Sequence, residues 1–399
     1  MKKILIDGRF IGIGSSLTIY TLEILSRVLE LDKENEYTLL IRPQGLEKLK
    51  AYPTFGKSSN FQTKILDVPH YSMAEQTKLL TFLNHKKYDL VHFTQFNHPV
   101  MYRGNYVVTI HDLTQFTEFF QANPIKQFAF KKVMQSAARD SAKIISVSET
   151  TKQDIVKRFS VKPEKIAVTH LGFDLKYNES VKGQTSKVKD FKEKFGITGD
   201  YFLYAGMWKK HKNLVRLIQA YEKFVVDCHS RAGEAMTRES SNFVQLVLMG
   251  KPDPAEPEVM EEIKRVREYL NSKFQIPNSI ITTGFLPEKS EEQVIGFAGA
   301  MAYIIPSLYE GFGLPPLQAM ACGTPVLSSN VSCMPEILGD APLYFDPYDI
   351  EDMAKAMARV STGEKLRGEL STKGLKQAAK YNWSDTAEKT LDVYKSALK

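Results

Sequence analysis

Short apolar runs rich in valine and isoleucine alternate with helix-like stretches along nearly the whole chain. Continuous apolar strands that are separated by helices are typical of parallel sheets covered on both faces. The strands predicted in the first half are Ile4–Asp7, Tyr37–Arg42, Lys64–Val68, Leu90–Phe93, Tyr106–Ile110, Lys143–Val147 and Ile166–Thr169. Those predicted in the second half are Tyr201–Ala205, Val244–Met249, Ile280–Thr283, Ala302–Pro306, Pro325–Ser328 and Leu343–Phe345. The pattern predicts an α/β protein with two successive doubly wound, Rossmann-like domains.

A polar stretch separates the two series of strands. It runs from Leu175 to about Asp200, and we interpret it as a linker. We therefore expect one domain over residues 1–178 and a second over residues 195–380. Residues 229–242 are expected to form a solvated insertion. Doubly wound sheets bind ligands beyond the carboxyl ends of their strands, so two such domains are expected to face each other across a ligand-binding cleft.

The composition excludes several classes of protein. The 399 residues are 43% hydrophobic and 25% charged, which is ordinary for a globular protein and argues against disorder or a fibre. The three cysteines, Cys228, Cys322 and Cys333, form no C-x-x-C pair, so neither a disulfide framework nor a structural zinc site is expected. The opening apolar run is interrupted at once by Asp7 and Arg9, and no window resembles a signal peptide or a membrane-spanning helix. We expect a cytoplasmic protein.

The net charge of +7 is confined to the first half of the chain. Residues 1–175 contain 24 Lys and Arg against 17 Asp and Glu, whereas residues 176–399 contain 29 of each kind. So modest an excess of positive charge is about as compatible with chance as with a functional cause. The functional interpretation is that the first half handles an anionic acceptor or lies near an anionic membrane surface.

The segment most informative about chemistry is Pro306–Pro325, which reads PSLYEGFGLPPLQAMACGTP. A predicted strand ends here, a turn containing Gly311 and Gly313 follows, and a helix is expected to begin near Pro315. Glycines allow a ligand to approach the unpaired N–H groups at a helix start, where the helix dipole favours phosphate. A strand–glycine–helix unit alone is equally compatible with a plain turn.

This segment strongly resembles the signature of glycosyltransferase family 4, a family of retaining enzymes with the GT-B fold. Further segments that resemble the family in the expected order are Gly206 with His211, Lys212 and Asn213, VTIHD at 108–112, ISVSET at 145–150, VTHLGFD at 168–174, Thr283 to Phe285, and the last helix around Trp383. The resemblance implies two Rossmann-like domains facing a cleft, with residues 381–399 forming a helix that returns to the first domain. Asp385 and Glu388 are expected to form a capping pair at the start of that helix.

The resemblance also implies a catalytic group. Glu310 matches the first of two family glutamates, and it would hydrogen-bond the donor sugar and stabilise positive charge at its anomeric carbon. Gln318 occupies the position of the second glutamate, where it would reach the ribose with an amide instead of a carboxylate. A partly exposed helix residue without a ligand is the alternative for Gln318. His111, in VTIHD, would contact the sugar or the acceptor without acting as a nucleophile.

The remaining donor-binding residues are implied in the same way. Lys212 would supply the main cation for the diphosphate, with His211 as a weaker, pH-dependent one, where the family often has arginine or lysine. Glycines would let the donor approach the backbone at Gly14, Gly206 and Gly284. The N–H groups of Gly313 and Leu314 would add uncharged donors. Lys209 and Lys210 are further candidate cations.

Together these features predict a retaining hexosyltransferase. The donor would be a GDP- or UDP-linked sugar, mannose by the closest subgroup resemblance, and the acceptor a glycan or a lipid-diphosphate-linked sugar used in surface polysaccharide or glycolipid synthesis. No D-x-D motif follows a predicted strand, so no metal or other cofactor is expected to be required. The alternatives are a sugar-nucleotide 2-epimerase and a nucleotide-sugar-binding subunit whose activity has lapsed. We expect no nucleic acid as a partner. We do expect peripheral contact of the basic first half with the inner face of a membrane.

Overall fold

The computed structural model describes residues 1–13, 16–120, 122–173, 185–232, 243–287 and 290–399. The chain divides into two compact units. The first unit contains Met1–Gly172 together with Tyr381–Lys399, and the second contains Phe173–Lys380. Each unit contains a parallel sheet with helices packed on it, so the predicted α/β class is confirmed.

In the described part of the first unit, seven parallel strands pair in the order β3-β2-β1-β4-β5-β6-β7. They are β1 Lys3–Asp7, β2 Glu36–Ile41, β3 Phe61–Ile65, β4 Leu90–Phe93, β5 Tyr106–Ile110, β6 Lys143–Ser146 and β7 Ile166–Val168. The prediction of Lys64–Val68 for the third strand was shifted. Because β3 lies at the sheet edge and is largely exposed, its residues lack the apolar run that marks a buried strand.

The described helices of the first unit, besides the 3₁₀ and π turns, are Ser16–Leu31, Leu46–Leu49, Thr54–Lys57, Leu80–Lys86, Pro124–Asp140, Glu149–Phe159 and the final Trp383–Ala397. The sequence predicts helices at Leu17–Leu31 and Ile125–Ala142, and two of the described helices match these ranges to within two residues. No helix among the described residues is both long and apolar enough to cross a membrane.

The final helix packs against the first unit. Thr386 donates a hydrogen bond to the carbonyl of His170 over 2.7 Å. A Cβ atom on Gly172 would lie only 2.2 Å from the backbone nitrogen of Trp383, so only glycine permits this approach. The expected capping pair of Asp385 and Glu388 was wrong, because the side chain of Asn382 accepts the N–H of Asp385 at 2.9 Å and caps the helix.

A buried polar network joins the final helix to the first sheet. The Nδ1 of His92 lies 2.7 Å from the hydroxyl of Tyr394, and its Nε2 lies 2.8 Å from the hydroxyl of Thr109. His98 is likewise buried and contacts the hydroxyl of Ser136 at 3.1 Å. Burial lowers the pKa of His92 to about 3 and that of His98 to about 4, so both rings are neutral in the folded protein near pH 7.

These two histidines predict a loss of stability in acid. Their ordinary pKa is 6.5, so below that pH the unfolded chain binds protons that the folded first unit excludes. The contribution of these two histidines to its free energy of unfolding should therefore decrease from about pH 6.5 and level off near pH 3. Hydrogen exchange in β4 and β5 measures this slope. His92→Gln should flatten it, whereas His85→Gln, which removes an exposed ring, should not; equal slopes in all three proteins would contradict the prediction.

In the described part of the second unit, six parallel strands pair in the order β10-β9-β8-β11-β12-β13. They are β8 Tyr201–Ala205, β9 Gln245–Met249, β10 Ile280–Gly284, β11 Ala302–Ile305, β12 Val326–Ser329 and β13 Leu343–Phe345. The described helices are Thr185–Phe195, Leu214–Ala232, Pro257–Phe274, Glu291–Ala298, Leu314–Ala321, Met334–Leu338, Ile350–Thr362 and Glu364–Ala378.

The helix Thr185–Phe195 corrects the predicted linker. It lies within the polar stretch from Leu175 to Asp200 that we interpreted as a linker, and its lysines account for that interpretation. Phe191 is its one buried residue, and the ring stacks on Tyr201 of β8 at 6.5 Å between centroids. Phe191, together with the ion pairs of Lys187 with Glu291 and of Lys194 with Glu292, attaches the helix to the second unit. The predicted insertion at 229–242 lies largely outside the described residues, apart from the last turn of the helix Leu214–Ala232.

Candidate active site

Glu310 lies in the loop between β11 and the helix Leu314–Ala321, as predicted. The hydroxyl of Ser332 holds its backbone on both sides. It accepts the N–H of Glu310 at 3.0 Å and donates to its carbonyl at 2.9 Å. Ser332 adopts a left-handed backbone conformation, with φ of 59°, in order to do this. Such strain is typical of functional sites and fixes the loop that presents the carboxylate.

The carboxylate of Glu310 forms a nearly buried ion pair. Its Oε1 lies 2.5 Å from the Nζ of Lys212 and accepts the hydroxyl of Ser307 at 2.7 Å. Burial by itself would raise the pKa of Glu310. The positive charges of Lys212 and His211 and the hydrogen bonds to the carboxylate outweigh burial, and the pKa lies below the ordinary carboxyl value. Glu310 is therefore charged at neutral pH.

Lys212 is presented by a rigid turn after β8. Residues Lys210–Lys212 form one 3₁₀ turn, and Asn213 follows with φ of 61°. The side-chain amide of Asn213 donates to the carbonyls of Pro306 at 3.1 Å and Pro347 at 2.8 Å. The N–H of Leu308 donates to the carbonyl of His211 at 2.8 Å. These bonds join the basic turn to the Glu310 loop, so the structure brings together the predicted residues Lys212, His211 and Glu310.

The two further candidate cations, Lys209 and Lys210, lie beside Lys212 and have contacts of their own. The ammonium of Lys209 forms an ion pair with the carboxylate of Asp253. The backbone N–H of Lys210 donates to the carboxylate of Glu256 at 3.1 Å. Lys209 and Lys212 therefore each have a carboxylate partner, and the role of Lys212 as the main cation for the diphosphate stays a prediction.

Three glycines shape the ends of β8, β9 and β10. Gly206 and Gly250 have φ of 155° and 156°, and Gly284 has φ of 75°. The N–H of Gly206 donates to the carbonyl of Met249, and the N–H of Gly250 donates to the carbonyl of Gly284, each at 3.0 Å. A Cβ at residue 250 would lie 2.1 Å from the carbonyl oxygen of Gly206, whereas one at Gly284 would meet nothing within 4 Å. Gly250 was not predicted, and it positions Gly206, which was.

This difference gives a matched pair of variants. Gly284→Ala should cost only backbone strain, about 1 kcal/mol of the free energy of unfolding. Gly250→Ala should cost about 1–3 kcal/mol more, because backbone must move, and it should displace Gly206 and weaken donor binding. Thermal melting and calorimetric titration with the donor measure the two effects. Equal losses in the two variants would contradict the proposed contact.

The helix Leu314–Ala321 begins one residue before the predicted start. Gly313 precedes it with φ of 84°, and no side chain caps the first turn. Pro315 and Pro316 have no N–H, so the helix start can offer only the backbone donors of Gly313 and Leu314 before Leu317. These are the two donors that the sequence predicted for the diphosphate.

Gln318 lies in the buried face of this helix, with 5% of the residue exposed. The alternative of a partly exposed helix residue is therefore wrong. A role toward the ribose stays a prediction.

His111 follows β5 in the first unit. Its Nε2 lies 3.0 Å from the carbonyl of Thr94, so Nε2 carries the proton and donates it, which leaves Nδ1 as an acceptor. Its ring contacts the ring of Tyr20 edge-on, with 4.7 Å between centroids. Burial lowers the pKa of His111 despite the opposing effect of Thr94, so the ring is neutral at pH 7. Gly14 lies outside the described residues.

Sequence reasoning missed the residues that support this site. Ser307 lies within the motif, three residues before Glu310, and a hydroxyl at that spacing from a carboxylate was an available signal. Ser332 is 22 residues from Glu310, and no pattern linked the two. No group of three or more His, Cys, Asp or Glu that could hold a metal ion occurs in the described ranges.

Comparisons with known proteins place this architecture in a family. The model for Glycosyltransferase Family 4 matches residues 35–177, and that for Glycosyl transferases group 1 matches residues 186–377. The chain is 27% identical over 299 residues to the serotype-specific mannosyltransferase WbdA of Escherichia coli, covering 73% of this chain and 33% of WbdA. It is 28% identical over 292 residues to the O-antigen chain mannosyltransferase B of Escherichia coli, covering 72% and 70% of the two chains. The chain thus spans about a third of the length of the WbdA proteins it matches.

Solved structures agree on the fold. The Anabaena protein Alr3699/HepE in complex with UDP and glucose superimposes with a TM-score of 0.74 at 15% identity, covering 99% of this chain and all of that one. Sucrose-phosphate synthase from Thermosynechococcus elongatus gives a TM-score of 0.70 at 18% identity, covering 99% and 98%. With two parallel-sheet units and family models that cover both of them, the chain belongs to glycosyltransferase family 4 and has the GT-B fold.

Proposed function

We propose that this protein transfers a mannose-like hexose, with retention at the anomeric carbon, from a GDP- or UDP-linked donor to a glycan or lipid-diphosphate-linked acceptor in surface polysaccharide or glycolipid synthesis. Its relatives include serotype-specific and O-antigen chain mannosyltransferases, and a protein of the same fold binds UDP and glucose. Neither likeness supports a 2-epimerase.

The observation that carries the proposal is the ion pair of Glu310 and Lys212. Without donor, each charge neutralises the other over 2.5 Å. A diphosphate brings about two negative charges to Lys212, so it competes with the carboxylate for the ammonium. Glu310 then accepts hydrogen bonds from the sugar hydroxyls and stabilises positive charge as it develops at the anomeric carbon. In this proposal Lys212 binds the diphosphate of the donor and Glu310 binds its sugar.

The leaving group takes its stabilisation from the same loops. The bond between the anomeric carbon and the phosphate oxygen breaks, and a bond to the acceptor oxygen forms on the same face. The acceptor hydroxyl proton passes to the departing phosphate oxygen, so no carboxylate nucleophile is needed. Lys212, His211 and the N–H groups of Gly313 and Leu314 stabilise the nucleoside diphosphate that leaves. Because these groups supply positive charge, we propose that no metal ion is required.

His111 contributes an acceptor and no charge. Its proton is committed to the carbonyl of Thr94, and Nδ1 can accept a hydroxyl of the sugar or of the acceptor. This neutral contact orients a substrate without competing with Glu310.

A panel of nucleotide sugars tests the donor. One donor, a GDP- or UDP-linked hexose by the proposal, should raise the melting temperature, because ligand at 100 times its Kd stabilises the folded state by about 2.7 kcal/mol. The same donor should then release nucleoside diphosphate only when a glycan or lipid-linked acceptor is added. Binding without transfer to any acceptor would favour a lapsed subunit, and release that yields an isomerised sugar would favour an epimerase. No shift with any donor would overturn the proposal.

We also propose that the first unit contacts an anionic membrane surface where lipid-linked acceptors are found, at the inner face of the membrane. The start of the helix Pro124–Asp140 supports this contact. Ile125 and Phe128 are 82% and 63% exposed. Lys126, Lys131 and Lys132 are exposed around them. Apolar residues among lysines on one helix are typical of segments that lie in an anionic lipid interface.

Vesicle flotation tests this contact. Ile125→Ser combined with Phe128→Ser should reduce binding to phosphatidylglycerol vesicles about tenfold, because two large apolar side chains no longer enter the interface. Ile65→Ser is the control, since Ile65 is equally apolar and 58% exposed on the edge strand β3. If the control loses as much binding as the double variant, the contact is not at this helix.

A further inference from the structure

The first unit contains an open cavity of about 480 Å³ that the transfer reaction does not use. It lies where the helix Pro124–Asp140 ends and β6 begins, beside the end of the helix Glu149–Phe159 and the turn that enters β7. It is thus at the amino ends of β6 and β7. His111 follows the carboxyl end of the parallel strand β5, at the opposite edge of the same sheet. Its volume is within the range of about 300–1,000 Å³ that is usual for small-molecule sites.

The lining of this cavity is strongly basic. Four cationic side chains line it, those of Arg139, Lys143, Lys162 and Lys165, against one carboxylate, that of Glu164. None of the four forms an ion pair with any residue in the part of the chain that the structure describes. A cluster of like charges in one concavity raises the local concentration of anions.

Two of the lysines are held in place by backbone. The ammonium of Lys165 donates to the carbonyl of Arg139 at 2.7 Å, and that of Lys143 donates to the carbonyl of Glu164 at 3.0 Å. Both residues are half-buried. Burial lowers the pKa of Lys165, which shows that water does not fully compensate its charge. Each ammonium has three N–H donors, so each retains capacity for a ligand.

Apart from Ser160, the rest of the lining is apolar. Phe159 and Val161 face the cavity beside the lysines. This combination suits an anion attached to an organic body better than a bare ion, because the body can cover the apolar wall.

We propose that this cavity is a second anion site of the protein, which binds a phosphate-bearing ligand through Lys143, Lys165 and Arg139 with its organic part against Phe159 and Val161. The cavity shares no residue with the predicted donor site, and the proposal does not depend on the transfer activity. Phosphate here comes either from a soluble phosphate ester or from the headgroup of an anionic phospholipid.

Calorimetric titration with phenyl phosphate tests the soluble source. The protein carries Lys212→Ala, so that the donor site does not contribute. Phenyl phosphate should bind more tightly than inorganic phosphate because its ring covers the apolar wall. Lys143→Met combined with Lys165→Met should raise the Kd about tenfold or more, since each variant loses a hydrogen bond from a charged donor. Cosedimentation with phosphatidylglycerol vesicles tests the lipid source with the same proteins.

The control is Lys78→Gln combined with Lys86→Gln, which removes two exposed lysines of the first unit outside the cavity. It should leave binding of either probe unchanged. If the cavity variant fails to fold, Arg139→Gln combined with Lys162→Gln removes the two exposed cations instead. Loss confined to cavity variants with either probe supports the site and identifies its source. Binding of both probes that is equal in cavity and control variants, or absent in the parent protein, overturns it.

Discussion

Glu310→Gln is expected to lower kcat about 10²–10³-fold, because a preorganised charge aimed at the reacting centre contributes that much to catalysis. The amide has the shape of the carboxylate, and Ser332 holds the backbone whichever side chain is present. What the variant removes is the negative charge that we propose to stabilise the anomeric carbon. Donor binding should be retained or strengthened, because a neutral amide oxygen competes with the diphosphate for Lys212 more weakly than the carboxylate does. The measurement is single-turnover transfer with the identified donor, together with the Kd for that donor.

Two variants separate charge from structure. Ser307→Ala keeps the charge and removes one hydrogen bond to the carboxylate, so kcat should decrease only about tenfold. Glu261→Gln removes an exposed carboxylate of the same unit and should have no effect. Melting temperatures show whether the second unit stays folded without the buried charge. If Glu310→Gln transfers sugar at the parental rate, Glu310 is a structural partner of Lys212 and the catalytic role is wrong.

The parts of the candidate site that are adjacent in the chain could be predicted from the sequence. The turn after β11, its glycines and the helix that follows are adjacent in the chain, and Lys212 lies in the first turn after the buried strand β8. The supports of the site are distant in sequence. Asn213 joins the carbonyls of Pro306 and Pro347, and Ser332 holds Glu310 across 22 residues. No periodicity encodes such contacts, because only the parallel sheet brings those loops to one edge.

The fold could be predicted wherever a strand is buried on both faces. Such strands are continuous apolar runs, as β5 and β8 are. The prediction was wrong where burial is partial. The edge strand β3 is exposed along most of its length, and the helix Thr185–Phe195 buries only Phe191. A segment with one buried residue shows no hydrophobic periodicity from which a helix or strand could be predicted.

The opening of the chain is the clearest case of a feature misjudged from sequence. Asp7 and Arg9 looked like charges that merely interrupt an apolar run. The structure buries both completely at the end of β1. Arg9 donates to both carboxylate oxygens of Asp7, at 2.9 and 2.8 Å, and to Glu75 at 2.8 Å. Since Glu75 is 66 residues away from Arg9, the sequence could not show that these charges form one buried cluster.

Arg9→Met is therefore expected to lower the free energy of unfolding of the first unit by about 3–5 kcal/mol, because it leaves two buried carboxylates without their cation. Burial already raises the pKa of Glu75 even with Arg9 present, so loss of Arg9 should raise that pKa further and make the protonated carboxyl easier to form in the variant. Hydrogen exchange in β1 and β4 measures the loss. The loss should be smaller at acid pH, where the carboxylates are neutral.

Two further sets of substitutions test whether unpaired buried charge causes the loss of stability in Arg9→Met. Asp7→Asn and Glu75→Gln, added to Arg9→Met, remove the uncompensated charges and should recover most of the stability, since a buried ion cluster and a neutral replacement are often nearly equal in free energy. Arg42→Met breaks the pair with Asp67, whose side chain is 61% exposed, and should cost no more than about 1 kcal/mol. If Arg9→Met and Arg42→Met cost the same, burial of charge does not govern the stability of the first unit. If the triple variant stays as unstable as Arg9→Met, the loss comes from packing around the guanidinium and not from the charges it neutralises.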